Sequence, residues 1–303
     1  MGAMKGQLSG DRVTVDFSQR LITRRFGRRE GDRVVLLPEE AAYLVHKGTL
    51  EVYDGKKAVD FNDLFSLCDP VRYFVYADLR DRGVRADFGD MGEYLPVSED
   101  DVFETSDLLR RAGKKLAVVD SEAEVTYFLL ERFDGTGNHS EELREFEARF
   151  ANGFFVTDYL ELHRKYFYGV QKGNRVVLSI FEALYLMEEG FLSSSVDEEK
   201  VLSFGRQNVL NFERRYAVYK DLRERRFMVK TGFKFGSDFR VYEYVRSVSE
   251  LRHSKYLVKL REAVSMMELA CDVRLSSAVN KTVLYPVFRD GRPEYLAVRR
   301  VKM

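Results

Sequence analysis

The side chains that most often carry metal or nucleophilic chemistry are few in this chain. There are four histidines, His46, His139, His163 and His253, and two cysteines, Cys68 and Cys271. None of the histidines falls in H-x-x-H or H-E-x-x-H spacing, and no acidic cluster of nuclease type accompanies them, so no metal is expected. The cysteines form no C-x-x-C pair and read as free thiols, which fits a cytoplasmic setting. GFKFG (232–236) lacks the downstream Gly-Lys-Ser/Thr of a phosphate-cradling loop, and no cofactor is expected. Three segments, KTGFKFGSDFRVY (230–242), RHSKYLV (252–258) and VNKTVLY (279–285), carry a phenol, an imidazole and an ammonium group. An imidazole titrates near neutrality and suits a general acid, here His253. A lysine such as Lys281 can stabilise a developing oxyanion by several kcal/mol. Tyr242, with an unperturbed pKa of ~10, is a poor base unless cations such as Lys281 or Arg240 favour its phenolate. Each also has a plain alternative. Tyr242 continues an aromatic strand and can pack, His253 can be a solvated loop residue, and Lys281 can guard the edge of an apolar strand.

The elements that would position these groups occur twice. Residues 24–36 (RRFGRREGDRVVL) align with 166–178 (YFYGVQKGNRVVL), 6 of 13 identical; 40–50 align with 182–192, 6 of 11; 73–83 (YFVYADLRDRG) align with 216–226 (YAVYKDLRERR), 7 of 11. The offset is 142, 142 and 143. A period that long exceeds any solenoid unit, so each copy is a globular unit of its own. The expected division is a first copy over 5–132, a linker over 133–150 and a second copy over 151–303, with Met1 to Met4 set aside as a non-native leader.

Both copies share one grammar. A short apolar strand, 34–37 or 176–178, leads into a helix. Ser179 and Glu182 form a capping box in the second copy and Pro38 takes the first turn in the first, while Gly190 and Gly48 end the two helices. A further helix carries Tyr73, Tyr76 and Leu79, matched by Tyr216, Tyr219 and Leu222, at core spacing. Beyond it the copies part. The second has a β-rich stretch with alternating aromatics over 233–244. The first is about five residues shorter there, and has Asp87, Asp90 and Glu93 where those aromatics stood. Divergence confined to one place points to loss of function in one copy, and that is where chemistry is expected.

The three segments in this order resemble the catalytic core of archaeal tRNA-splicing endonucleases, and with the duplication the resemblance covers nearly the whole chain. It implies a mixed α/β fold, each copy having a small α/β subdomain followed by a nuclease-like subdomain with a central mixed sheet and flanking helices. It implies Tyr242, His253 and Lys281 as the catalytic set, with Tyr242 as base; the residues alone also permit Tyr242 merely to position a 2′-hydroxyl. In such a mechanism the RNA 2′-OH attacks the adjacent phosphorus, leaving a 2′,3′-cyclic phosphate and a 5′-OH. The resemblance further implies a homodimer acting on the bulge–helix–bulge of intron-bearing pre-tRNA, with Arg274 and Arg300 clamping a flipped base. Alternation along the strand leaves open whether Arg299 or Arg300 faces the RNA. The first copy has no counterpart of His253, although a lysine survives at Lys114 or Lys115, so it is expected to be silent. Its acidic turn, with Asp120, Glu122 and Glu124, matches a loop that docks on the active copy of the other subunit. The strand over 295–301 resembles a segment that pairs two active copies across a two-fold axis.

Charge distribution agrees with an RNA partner. Residues 205–303 hold 22 Lys/Arg against 11 Asp/Glu, leaving 27 against 38 for 1–204 out of 49 each. A basic third on an acidic remainder can supply both a phosphate-binding face and electrostatic steering of assembly. No apolar run approaches the ~20 residues of a membrane span. Two other readings stay open: an RNA-binding structural subunit that needs a separate catalytic chain, and a metal-dependent nuclease of the same general fold.

Overall fold

The computed structural model describes residues 3–89 and 91–303; Asp90, one of the acids of the shortened stretch, lies outside them. The duplicated sequence blocks become duplicated structure. In the second copy, strand Arg175–Ser179 leads into helix Ile180–Glu188 through the expected capping box of Ser179 and Glu182. In the first, strand Arg33–Leu36 leads into helix Pro38–His46 with proline in the first turn. Gly27 and Gly169, matched in the alignment, both sit at positive φ, +62° and +56°. A Cβ at either would lie 2.6 Å from the carbonyl oxygen of Val35 or 2.4 Å from that of Val177. Only glycine tolerates both demands, which accounts for its presence in each copy.

The two small subdomains are not identical. The first is a six-stranded sheet that begins at Met4–Ser9, so Met4 belongs to the fold. The second is a four-stranded sheet over Arg149–Ala151, Phe154–Thr157, Val170–Lys172 and Arg175–Ser179. The stretch 133–150 lies against the second copy. The backbone N–H groups of Gly137 and His139 donate to the carbonyls of Arg225 and Arg226, and Phe146–Glu147 pairs with Leu192–Ser193.

The nuclease-like subdomains of both copies merge into one eight-stranded mixed sheet. Its order is Met228–Thr231, Phe239–Tyr242, Tyr256–Val258, Thr282–Arg289, Arg292–Val301, Val125–Phe133, Lys115–Val119 and Tyr94–Ser98. The closing strands of the two copies meet antiparallel at the centre, from Tyr127 opposite Val301 to Phe133 opposite Tyr295. The expectation that 295–301 pairs two active copies is therefore corrected. That edge is occupied by the equivalent strand of the same chain, which covalent linkage keeps at high effective concentration. Two short equivalent strands, Val102–Glu104 and Ala263–Ser265, pair across the same pseudo-two-fold.

Side chains alternate between the two faces of this sheet. On one face, Phe128, Leu130, Leu296 and Val298 form a core with Leu269 and Val273 of helix Met266–Ala278 and with Leu108 of helix Thr105–Arg110. On the other, helix Pro70–Asp81 packs through Val75 and the expected Leu79, while its Tyr73 and Tyr76 enter the core of the first small subdomain. Helix Phe212–Glu224 buries the expected Tyr216, Tyr219 and Leu222 in one core with sheet residues such as Val241 and Tyr295. A buried tyrosine ties each helix to its closing strand: Tyr127 donates to Asp78 at 2.7 Å and Tyr295 to Asp221 at 2.8 Å. The hairpin Met228–Thr231/Phe239–Tyr242 has no counterpart among the described residues of the first copy. Its aromatic stretch is less extended than expected. Residues Phe233–Phe235 form a 3-10 turn, with Phe233 86 % exposed.

Candidate active site

Three strand ends bring the chemistry-bearing segments together. Tyr242 ends strand Phe239–Tyr242, whose Val241 lies opposite Tyr256 in the antiparallel neighbour. Tyr256 in turn lies beside Thr282 in a parallel pair. Lys255 knits the junction: its N–H donates to Val241 O at 2.9 Å, and its carbonyl accepts from Thr282 N at 3.1 Å. Tyr242, His253 and Lys281 therefore all lie within two residues of this junction. Helix Met266–Ala278, which carries Arg274, ends two residues before Asn280, at the same edge. The register between the last two strands runs to Val283 opposite Val298. Carried two residues further, it sets Arg300 opposite Lys281.

The side chains differ sharply in environment. His253 is exposed and closes the 3-10 turn Val248–Arg252, its N–H donating to Glu250 O at 2.9 Å. Lys281 is half-buried, and its Nζ donates to Val279 O at 3.2 Å. Burial first, and then the guanidinium of Arg240, lower its pKa from the usual 10.5. Tyr242 is 1 % exposed and packs with Phe167, Met228 and Val245. Its hydroxyl donates to the carbonyl of Leu251 at 2.5 Å. The cation expected to favour its phenolate is present, with Arg240 5.9 Å from the ring centroid. Burial outweighs it, however, and the phenol's pKa is raised.

Two residues of this group were not singled out as site residues from the sequence. Arg240 donates through Nε to Thr231 O at 2.8 Å and through Nη1 to Leu251 O at 3.2 Å, sharing that acceptor with Tyr242. Phe235 lies with its ring centroid 5.5 Å from the Arg240 guanidinium and 5.6 Å from the Lys281 ammonium. The available signal was the alternation that puts Arg240 and Tyr242 on one face of their strand. Phe235 gave none, because its place depends on the 3-10 turn.

Arg299 and Arg300 point to opposite faces. Arg299 donates to Glu131 at 2.8 Å, whereas Arg300 has no hydrogen-bond or ion-pair partner among the described residues. Arg300 lies opposite Phe128, on the face covered by the helix that carries Arg274. Arg274 is exposed.

The first copy repeats the scaffold without the groups. Tyr94 lies beside Lys115 as Tyr256 lies beside Thr282, so Lys114 is the register equivalent of Lys281 and Met91 stands where His253 would be. Met91 is 98 % exposed. Lys114 donates to Gly89 O at 2.8 Å, and Lys115 is ion-paired with Glu93 at 2.6 Å.

In the acidic turn, Asp120 is turned inward. Its Oδ1 accepts from the N–H groups of Glu122 at 3.0 Å and Glu124 at 2.9 Å, leaving those two glutamates exposed. Among the described residues no three His, Cys, Asp or Glu side chains assemble as a metal site. No helix of the described residues is long and apolar enough to cross a membrane.

These features define a class before they define a member: a duplicated mixed α/β chain whose second copy ends in a phenol–imidazole–ammonium group. The model of the tRNA intron endonuclease catalytic C-terminal domain matches residues 212–295, and that of the N-terminal domain matches twice, at 4–65 and 156–206. The chain belongs to the archaeal tRNA-splicing endonuclease family. It is 32% identical to the tRNA-splicing endonuclease of Methanosarcina barkeri, across 99% of this chain and 100% of the relative. It is 34% identical to that of Haloarcula marismortui, across 98% and 99%. The second N-terminal match begins inside the second strand of that copy's sheet, Phe154–Thr157, so the family's N-terminal domain occurs once in each copy.

Proposed function

We propose that this chain is a tRNA-splicing endonuclease that acts as a homodimer, each subunit supplying one active site to one splice junction of a bulge–helix–bulge pre-tRNA. The observation that carries this reading is the convergence of Tyr242, His253 and Lys281 at one sheet end of the second copy, with Met91 in the place of the histidine in the first. The division is a silent copy from Met4 to the end of its closing strand at Phe133, a connecting segment, and a catalytic copy whose sheet opens at Arg149. The enzyme is cytoplasmic.

In the reaction the 2′-oxygen forms a bond to phosphorus and the bond from phosphorus to the 5′-oxygen breaks. His253 gives its proton to that departing oxygen. Lys281, whose charge is paired with no carboxylate among the described residues, faces the negative charge of the phosphorane. Tyr242, as its phenolate, takes the proton of the 2′-OH; in the free protein the phenol donates to Leu251 O instead. To take that proton outright it must first lose its own, which burial opposes and Arg240 favours. Arg240 and Lys281 both lie within cation–π reach of the Phe235 ring. Arg274 and Arg300, on one face of the sheet, clamp a flipped bulge base, and Arg299 is held back by Glu131. Glu122 and Glu124 dock on the partner subunit, with Asp120 shaping the turn that presents them.

Purified protein incubated alone with intron-bearing pre-tRNA in excess chelator should cut both junctions and leave 2′,3′-cyclic phosphate and 5′-OH ends. Binding without cleavage would favour an RNA-binding subunit awaiting a catalytic chain. Loss of cleavage in chelator would favour a metal-dependent nuclease.

A further inference from the structure

The silent copy carries an open basic cavity at the place where the catalytic copy has a mainly apolar one. A cavity of about 460 Å³ is lined by Arg25, Arg80 and Arg85 together with Gly27, Glu40 and Tyr76. The same three arginines border an adjoining cavity of about 480 Å³ that also includes Arg24. The duplication shows what was exchanged. Arg25 corresponds to Phe167, and both have positive φ, +59° and +61°. Arg80 corresponds to Arg223, which is buried and ion-paired with Glu141 from the connecting segment. Arg85, two residues past the last aligned pair, stands where the second copy's chain enters the added hairpin at Met228, which packs against Tyr242. The catalytic copy keeps a cavity of about 440 Å³ here, with Gly169, Glu182 and Tyr219 in the places of Gly27, Glu40 and Tyr76, but its other walls are mainly apolar, among them Val170, Phe181 and Phe239. The silent copy's cavity is lined by arginines instead.

Two further observations bear on a ligand: an orphaned tyrosine hydroxyl, which Tyr219 of the catalytic copy shares, and unpaired arginines, which that cavity lacks. Tyr76 is only 6 % exposed, and its hydroxyl has no hydrogen-bond partner among the described residues although it lines the cavity. A buried hydroxyl left unpaired costs about 1–3 kcal/mol, a cost that a bound acceptor would remove. The arginines are not neutralised locally. Arg24, Arg25 and Arg85 are exposed and have no ion pair among the described residues. Glu40 is the one carboxylate on the wall, and both its oxygens are committed to backbone, accepting from Gly27 N and Leu37 N at 2.8 Å each. The segment 20–33 continues the charge along the chain, with six arginines against Glu30 and Asp32. This runs against the acidic balance of residues 1–204 as a whole.

We propose that this cavity holds backbone phosphate of the bound pre-tRNA, with arginine forks on the phosphate oxygens and the Tyr76 hydroxyl donating to one of them. The silent copy is then an RNA-holding element as well as a scaffold. The inference rests on the pre-tRNA reading above.

The test is the affinity of Arg24→Gln/Arg25→Gln/Arg85→Gln for intron-bearing pre-tRNA across a salt series, beside wild type and Tyr76→Phe. The triple variant removes side chains that anchor nothing in the fold. It should bind about 10-fold more weakly at low salt, with a salt slope shallower by about 1–2, since each phosphate contact contributes about 0.7–0.9. The single-turnover rate at saturating enzyme should be unchanged. Tyr76→Phe should weaken binding about 2–5-fold, within the worth of one hydrogen bond, without loss of thermal stability. Inorganic phosphate should protect wild type against thermal unfolding more than the triple variant. If phosphate does so while RNA affinity and slope are unchanged, the site takes free anion and the proposal fails. If the variant sediments as a monomer, the cavity receives an acidic protein segment, and the proposal fails in that direction. Wild type that cuts pre-tRNA beside a triple variant with unaltered affinity overturns this inference alone; wild type that binds no pre-tRNA overturns the functional reading with it.

Discussion

Replacing Lys281 with methionine isolates one charge at the proposed site. In the free protein the ammonium makes a single 3.2 Å hydrogen bond to Val279 O and stands beside the like charge of Arg240. Losing one such bond at a half-buried position costs about 1 kcal/mol at most, and relief of the repulsion from Arg240 offsets part of it, so thermal stability should hardly change. The effect on the reaction is of a different size. A cation placed at a developing oxyanion contributes about 3–4 kcal/mol, or 10²–10³ in rate. Single-turnover cleavage at saturating enzyme should fall by that factor, while the dissociation constant for pre-tRNA moves only a few-fold. The lowered pKa adds a pH signature. The lysine's charge is present below its pKa and lost as pH rises through it, so the alkaline limb of the rate profile should begin below the 10.5 of an ordinary lysine. Lys281→Arg, if it turns over at all, should carry that limb to higher pH, because guanidinium stays charged. A methionine variant cleaving within about threefold of wild type would refute the assignment, and so would a loss confined to binding.

Four other perturbations separate chemistry, assembly and folding. His253→Ala should lose about 10²–10⁴ in rate while still retaining pre-tRNA in a gel-shift assay. Glu122→Gln/Glu124→Gln should give monomers in sedimentation without changing the melting temperature, whereas Asp120→Ala should lower stability by about 1–2 kcal/mol because two backbone N–H groups lose their acceptor. Lys230→Met should destabilise by about 3–5 kcal/mol, since it strands buried Glu182, whose Oε1 accepts from Lys230 at 2.7 Å. Glu182 has a lowered pKa, so its contribution exists above the ordinary carboxylate range and is lost as pH falls through its folded value. An acid-unfolding curve that is the same with and without Lys230 would contradict that linkage.

The duplication, the capped helices and their aromatic faces were legible because they rest on local rules: Ser179 with Glu182, Pro38 in a first turn, tyrosines at helical spacing. The silence of the first copy was legible as a missing histidine. Less visible was anything set by long-range pairing. Nothing local distinguishes a closing strand that pairs within the chain from one that pairs between subunits, and 295–301 was assigned to the wrong neighbour. The face of Arg299 became decidable only once Glu131 lay diagonally across on the next strand. The surroundings of Tyr242 were half legible: Arg240 two residues away could be read, but not the Leu251 carbonyl that the following turn brings over the hydroxyl.

The central pairing of the two closing strands also limits how this chain can meet another copy. Strand Arg292–Val301 is hydrogen-bonded on both sides, by Thr282–Arg289 and by Val125–Phe133, so no ladder is open at the middle of the sheet. Of the outer edges, Tyr94–Ser98 carries Pro96, which lacks a donor, and Met228–Thr231 is only four residues long. Self-association by strand addition is thereby blunted, and a dimer would have to be held by side chains, notably the exposed glutamates of the acidic turn. Its dissociation constant should then climb with ionic strength, so that subunit exchange between two labelled populations is slow in dilute buffer and fast in salt.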